Sequence, residues 1–197
     1  MQTIQLTLDE LSYLAVSGRL GQAPAVSDDQ AQRDEAARRG LMTLFVRDFA
    51  TPSGDGVEIS GTLAPFIEAW NAPGTVVTID TVLADGSRVF TFAVRSVQAS
   101  KVFVSLLVTP VSTLIMTLGD DDDTWQVPRR FVEHWWATAA SERQGFILGV
   151  ASLGKPAEAV TVSAAGLVTR GQGVPSAARS VDELLALLPE PITTEPK

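Results

Sequence analysis

The sequence predicts an α+β fold: a central antiparallel β-meander with helices packed on at least one of its faces. Three observations carry this prediction. Residues 75–118 are nearly continuous in β-branched and aromatic side chains, punctuated by turn chemistry such as Asp85-Gly86, a strong hairpin signal between two apolar runs. Helix patterns with capping residues cluster before and after that stretch instead of alternating with it. The resulting grouping, helices then strands then helix, short strands and helix, is that of an α+β domain, with no self-similarity at solenoid spacing. The expected organisation is one domain over 1–190: a helical part 7–71, the meander 75–118, a helix with short strands 128–170 and a last helix 181–188. Residues 191–197 are expected to be a disordered tail with nothing to bury.

The elements follow from local chemistry. Residues 1–6 suit a short strand, and Thr7-Leu8-Asp9-Glu10 has capping-box spacing for a helix carrying Leu8, Leu11, Leu14 and Ala15, ended by Gly18 and Gly21. A linker containing Pro24 leads to a second capping box, Ser27-Asp28-Asp29-Gln30, and a charged helix through Ala36, Ala37 and Arg39 that Gly40 closes. Residues 41–46 fit helix or strand equally, 51–56 read as a loop, and 57–59 as a short strand. Leu63, Phe66, Ile67 and Trp70 fall at i, i+3, i+4 and i+7, which predicts an amphipathic helix stopped by Pro73-Gly74.

Four strands make the meander: 75–83, 88–94, 101–108 and 112–118. In the second, Phe90, Phe92 and Val94 alternate with Val89, Thr91 and Ala93, which puts the bulky set on one face. The third is apolar on both faces, with Val102, Val104, Leu106 and Val108 on one and Phe103 and Leu107 on the other. Helices must cover one face of such a sheet, and the other is covered too or kept for a partner. Beyond the meander, Pro128 marks a helix start, Phe131, Val132, Trp135, Trp136 and Ala139 supply its apolar face, and 145–150, 159–163 and 167–169 read as strands. Ser180-Val181-Asp182-Glu183 is a third capping box, and Pro189 ends the helix it opens. Phe66, Ile67, Trp70, Phe90, Phe92, Trp135 and Leu184 are the expected core.

Composition narrows the function. The 197 residues are 45% hydrophobic, enough for a full core, and the absence of cysteine excludes disulfides, thiolate metal sites and cysteine nucleophiles. The net charge is −8, Asp120 to Asp123 supply four of those negative charges, and no basic stripe offers a footprint for nucleic acid. No apolar run approaches the roughly 20 residues of a membrane helix, and the N-terminus does not read as a signal peptide. The expectation is a soluble cytoplasmic protein without membrane insertion.

No catalytic constellation stands out. Asp120 to Asp123 could offer hard oxygen ligands, but adjacent aspartates in an extended run point in opposite directions and lack the spacing of a calcium loop, so a solvated turn is expected. His134, the single histidine, has no serine or threonine in a nucleophile motif to serve, and Gly171-Gln172-Gly173 lacks the remainder of a phosphate loop. Trp70, Trp125, Trp135 and Trp136 sit at helical core spacing, where an aromatic platform is the minority outcome. Neither catalytic nor metal-ligating residues, nor any cofactor, is expected.

Four segments, taken in order, resemble the EspG-like chaperones of actinobacterial type VII (ESX) secretion systems. Leu6-Thr7-Leu8-Asp9-Glu10-Leu11 with Leu14 and Leu20-Gly21 is similar to that family's first helix, and residues 33–41, ending Arg39-Gly40-Leu41, to its second. Residues 63–73, followed by a meander, are similar to its third helix, proline and sheet, and residues 182–189 to its last helix. The likeness covers about two-thirds of the chain, and after the meander this chain is shorter than such a protein is expected to be. The resemblance implies a non-enzymatic adaptor that binds the apolar tip of a helical secretion substrate pair of the PE–PPE kind and keeps it soluble until export. With that function, the second face of the meander would be the recognition surface and Phe103 and Leu107 its anchors. Two other classes stay open: a small-ligand-binding α+β domain with the tryptophan-rich helix as a wall, and an enzyme whose acidic residues form no recognisable motif.

Overall fold

A computed structural model describes residues 1–21, 29–97, 102–108, 113–120, 125–152 and 155–189. In chain order the elements are β1 (Gln2–Thr7), α1 (Leu8–Val16), α2 (Gln30–Val46), β2 (Ala50–Ser53), β3 (Gly56–Ile59), α3 (Ala64–Asn71) and β4 (Thr75–Val82). There follow β5 (Arg88–Val97), β6 (Val102–Val108), β7 (Thr113–Asp120), α4 (Gln126–Ala137), β8 (Gly145–Ser152), β9 (Glu158–Val162), β10 (Leu167–Arg170), β11 (Ser176–Ala177) and α5 (Val181–Ala186). The fold is α+β. Its nine-stranded sheet runs β1-β7-β6-β5-β4-β8-β9-β10-β11, so the predicted meander is consecutive within it, and β2-β3 forms a separate hairpin. Packing divides the chain into two compact units, Met1–Ala72 with Val104–Leu118, and Pro73–Phe103 with Gly119–Lys197.

In the first unit β1 pairs antiparallel with β7 over Gln2 to Thr7. The capping box forms as its spacing predicts: the Thr7 hydroxyl accepts from the Glu10 amide at 3.1 Å, and the Glu10 carboxylate accepts from the Thr7 amide at 2.7 Å. The second helix departs from expectation twice. Asp29, not Ser27, is its cap, accepting from the Gln32 amide; Ser27 and Asp28 lie outside the described residues. Gly40 does not end it. The helix continues to Val46, and Asp48 closes it in the left-handed conformation (φ 56°), with the Phe49 amide donating to the Leu44 carbonyl. Gly40 instead lets α1 approach: a Cβ there would stand 1.9 Å from the Asp9 carbonyl oxygen. The loop expected over 51–56 is in fact mostly strand, pairing Ala50 with Ile59 through Ser53 with Gly56 around an exposed turn. Phe66 and Trp70 of α3 are buried, Ile67 half so, and the Trp70 indole donates to the Gly21 carbonyl at 2.7 Å.

In the second unit β4, β8 and β9 alternate, whereas β5 is buried on both faces from Phe92 to Val97. Val77 and Ile79, Phe146, Leu148 and Val150, and Val160 and Val162 are buried in one core with Val132 and Trp135 of α4 and Leu184 and Leu185 of α5. Alternate residues Val76, Thr78, Asp80 and Val82 are only half-buried. The β4-β5 turn is not the two-residue hairpin that Asp85-Gly86 predicts. Only Gly86 has positive φ, the Leu83 amide donates to the Ser87 carbonyl, and the Asp85 carboxylate accepts from the Ser87 amide and hydroxyl. Register also shifts between Ile79, opposite Phe92, and Asp80, opposite Phe90, leaving Thr91 as an extra residue. A bulge reverses the alternation beyond it. Phe92 therefore enters the core while Phe90 turns to the other face and is half-buried, which corrects the expectation of a shared face. Ser180 caps α5 as expected, accepting from the Glu183 amide at 3.2 Å, and β11 has no counterpart among the predicted strands.

Candidate docking surface

The two residues singled out as partner anchors separate. Phe103 is 2% exposed and belongs to the core of the second unit, its ring so close to Gly119 that a Cβ there would lie 2.7 Å away. It is not available to a partner, because Phe103, Val104, Ser105 and Leu106 are all buried and β6 is covered on both faces there. Leu107, 41% exposed, is the apolar side chain that this strand leaves to solvent. The faces of β6 read correctly as apolar; which of them is covered could not be read from one strand.

The larger apolar exposure is on α2. At 100° per residue, Ala36, Ala37, Gly40 and Leu44 gather on one side of the helix, and they are its buried residues. Met42 and Val46 point the opposite way and are 62% and 79% exposed. Phe45, one turn from Met42 and next to Val46, and Phe49, just past the helix end, are half-buried. Met42, Phe45 and Val46 thus fall at i, i+3 and i+4, and Phe49 follows beyond the left-handed Asp48 that closes the helix. Such spacing normally marks the face a helix buries, yet here the buried face is the other one. Small residues on the inner face account for this: they bring α1 close, while Met42 and Val46 on the outer side stay exposed.

The stripe is held firmly. Arg39 grips Asp9 of α1 with two bonds of 2.7 and 3.0 Å, and Arg47 donates to the fully buried Glu10 carboxylate at 2.7 Å and to the Gln5 carbonyl. The Arg47 guanidinium also lies 4.5 Å from the centre of the Phe49 ring, covering one side of it. At the N-terminal end of the stripe, Arg38 pairs with Glu35 at 3.3 Å, both well exposed. The surface is an apolar strip ended by charges, on a helix pinned to its neighbour.

The remaining sequence candidates are placed as follows. Asp120 ends β7 with an exposed side chain, and Asp121 to Asp123 lie outside the described residues. Among the described residues no group of three histidine or acidic side chains could hold a metal ion. His134 is exposed on α4, and Gly171-Gln172-Gly173 forms an exposed turn. Trp70 and Trp135 are core, each with its indole N–H satisfied by a backbone carbonyl. No described helix is long and apolar enough to cross a membrane. In comparison with known proteins, the chain matches no family model and no curated sequence.

Proposed function

We propose that this protein is a non-enzymatic adaptor that binds a helical protein partner along the exposed face of α2. The observation that carries the reading is the pair Met42 and Val46, one turn apart, 62% and 79% exposed and turned away from the helix's own packing face, with the half-buried Phe45 beside them. A ridge of large apolar side chains fits the groove of a second helix, and interface energy concentrates in a few such anchors. The resemblance of residues 6–21, 33–41, 63–73 and 182–189 to EspG-like chaperones names the partner: a helical pair of the PE–PPE kind, held in the cytoplasm before type VII export. Leu107 supplies a further exposed apolar side chain in the same unit.

Co-expression of the chain with a PE–PPE pair encoded in the same genome, followed by size-exclusion chromatography, tests this. The wild type should co-elute with the pair, and a Met42→Asp, Val46→Asp double variant should not, while its circular dichroism stays that of the wild type. Both positions are exposed, so the substitutions leave the core untouched. Co-elution of the double variant as complete as that of the wild type would dismiss α2 as the recognition surface.

A further inference from the structure

The second unit contains a cleft that the adaptor reading does not use. It has a volume of about 170 Å³ and lies between the C-terminal half of α4, the loop after it, the start of β8 and Thr81 near the end of β4. Its floor is aromatic. Phe146 meets Phe131 edge-on at 5.4 Å and Trp135 at 5.2 Å, and Phe131 in turn meets Phe92 at 5.5 Å. Its lip is polar, with His134 and Glu142, both exposed, and Thr138 between them in sequence.

We propose that this cleft is a binding site for a single aromatic ring carrying a hydrogen-bond donor, a phenol-type group. Size is the first reason, since an apolar cavity of roughly 150 Å³ accommodates benzene. The second is the floor: Phe146 is fully buried and Trp135 7% exposed, and the half-buried Phe131 is the ring that a further ring can meet edge-to-face. The third is the lip: the His134 imidazole and Glu142 carboxylate are acceptors for a phenolic hydroxyl, whereas the floor offers an unsubstituted ring no polar contact. The site is also preformed. Arg143 stacks 5.0 Å from the Trp135 ring centre and 4.8 Å from that of Trp136, and it donates to the carbonyls of Thr138 and Trp136. The loop carrying Glu142 is thereby tied to the end of α4, so little ordering remains for the ligand to impose. Such a group reaches the protein as a free phenolic compound or as a tyrosine side chain, and the two differ in what is attached opposite the hydroxyl.

Titration of the full chain with p-cresol, toluene, cyclohexanol and N-acetyltyrosinamide, followed by ¹H–¹⁵N correlation spectra, tests the site without any variant. Saturable shifts of Gly145, Phe146 and the Trp135 indole N–H are expected with p-cresol, at least five-fold weaker binding with toluene, and none with cyclohexanol. N-acetyltyrosinamide binding as well as p-cresol assigns the site to a tyrosine side chain; p-cresol alone assigns it to a free phenol. His134→Ala with Glu142→Gln, both at exposed positions, should bring p-cresol down to the affinity of toluene. Shifts that scatter over other residues, or equal binding of cyclohexanol and p-cresol, would overturn the proposal. Failure of this titration leaves the α2 reading standing, and failure of the co-elution leaves this one standing, because the two rest on different residues.

Discussion

Gly40→Ala is the substitution that most directly tests how α1 and α2 pack. In an isolated helix this change stabilises, by about 1 kcal/mol, because alanine restricts the unfolded chain and shields the backbone. Here the added Cβ would sit 1.9 Å from the Asp9 carbonyl oxygen, 2.3 Å from its carbon and 2.8 Å from the Glu10 nitrogen. A carbon and a carbonyl oxygen come no nearer than roughly 3.3 Å, so α1 would have to withdraw by about 1.4 Å. All three obstructing atoms are backbone, so no side-chain rotation relieves the clash. Withdrawal would strain the Arg39–Asp9 and Arg47–Glu10 pairs that bridge the two helices. Overpacking of this kind costs about 1–3 kcal/mol, and occasionally more, which exceeds the propensity gain. The expected result is a lower urea midpoint at unchanged slope, with Gly61→Ala, where nothing lies within 4 Å of the new methyl, as the neutral control. A Gly40→Ala protein as stable as the wild type would refute the close approach of α1 to α2.

Two further perturbations follow from charge. Arg47→Ala leaves the fully buried Glu10 carboxylate without its cation and should destabilise by about 3–5 kcal/mol in urea unfolding, whereas Arg47→Met with Glu10→Gln should recover most of that loss. An Arg47→Ala protein within 1 kcal/mol of the wild type, on the order of a surface pair, would mean the ion pair is solvated. Asp80 is held above the usual carboxylate range by partial burial, opposed by the Arg88 charge. Its folded-state pKa is raised, so the neutral acid favours the fold at low pH and ionisation works against it as pH rises through the folded value. Asp80→Asn should accordingly raise the melting temperature at pH 7 and lose that advantage below about pH 4, near the unfolded carboxyl value. A constant difference from pH 3 to pH 7 would refute this.

Local chemistry made much of the chain legible in the sequence alone. Thr7 and Glu10, and Ser180 and Glu183, each depend on residues a few positions apart, so spacing suffices to place those two helix starts. The mixed α+β class and the consecutive meander follow from the same signals. What sequence left undecided depends on contacts between residues far apart in the chain. Gly40 looks like a helix stop because glycine usually ends helices, and only the nearness of Asp9 makes it an interior packing residue; the true stop, Asp48 in a left-handed conformation, carries no glycine signal. Thr91 looks like one more alternating strand residue until pairing with β4 makes it a bulge and sends Phe90 away from Phe92. Phe103 and Met42 show the same limit for the site: hydrophobicity tells that a side chain can be buried, but coverage is set by the elements that pack against it. Tertiary packing buried Phe103 and left Met42 and Val46 uncovered by the rest of the described chain, and it assembled the cleft floor from Phe131, Trp135 and Phe146 of two separate elements.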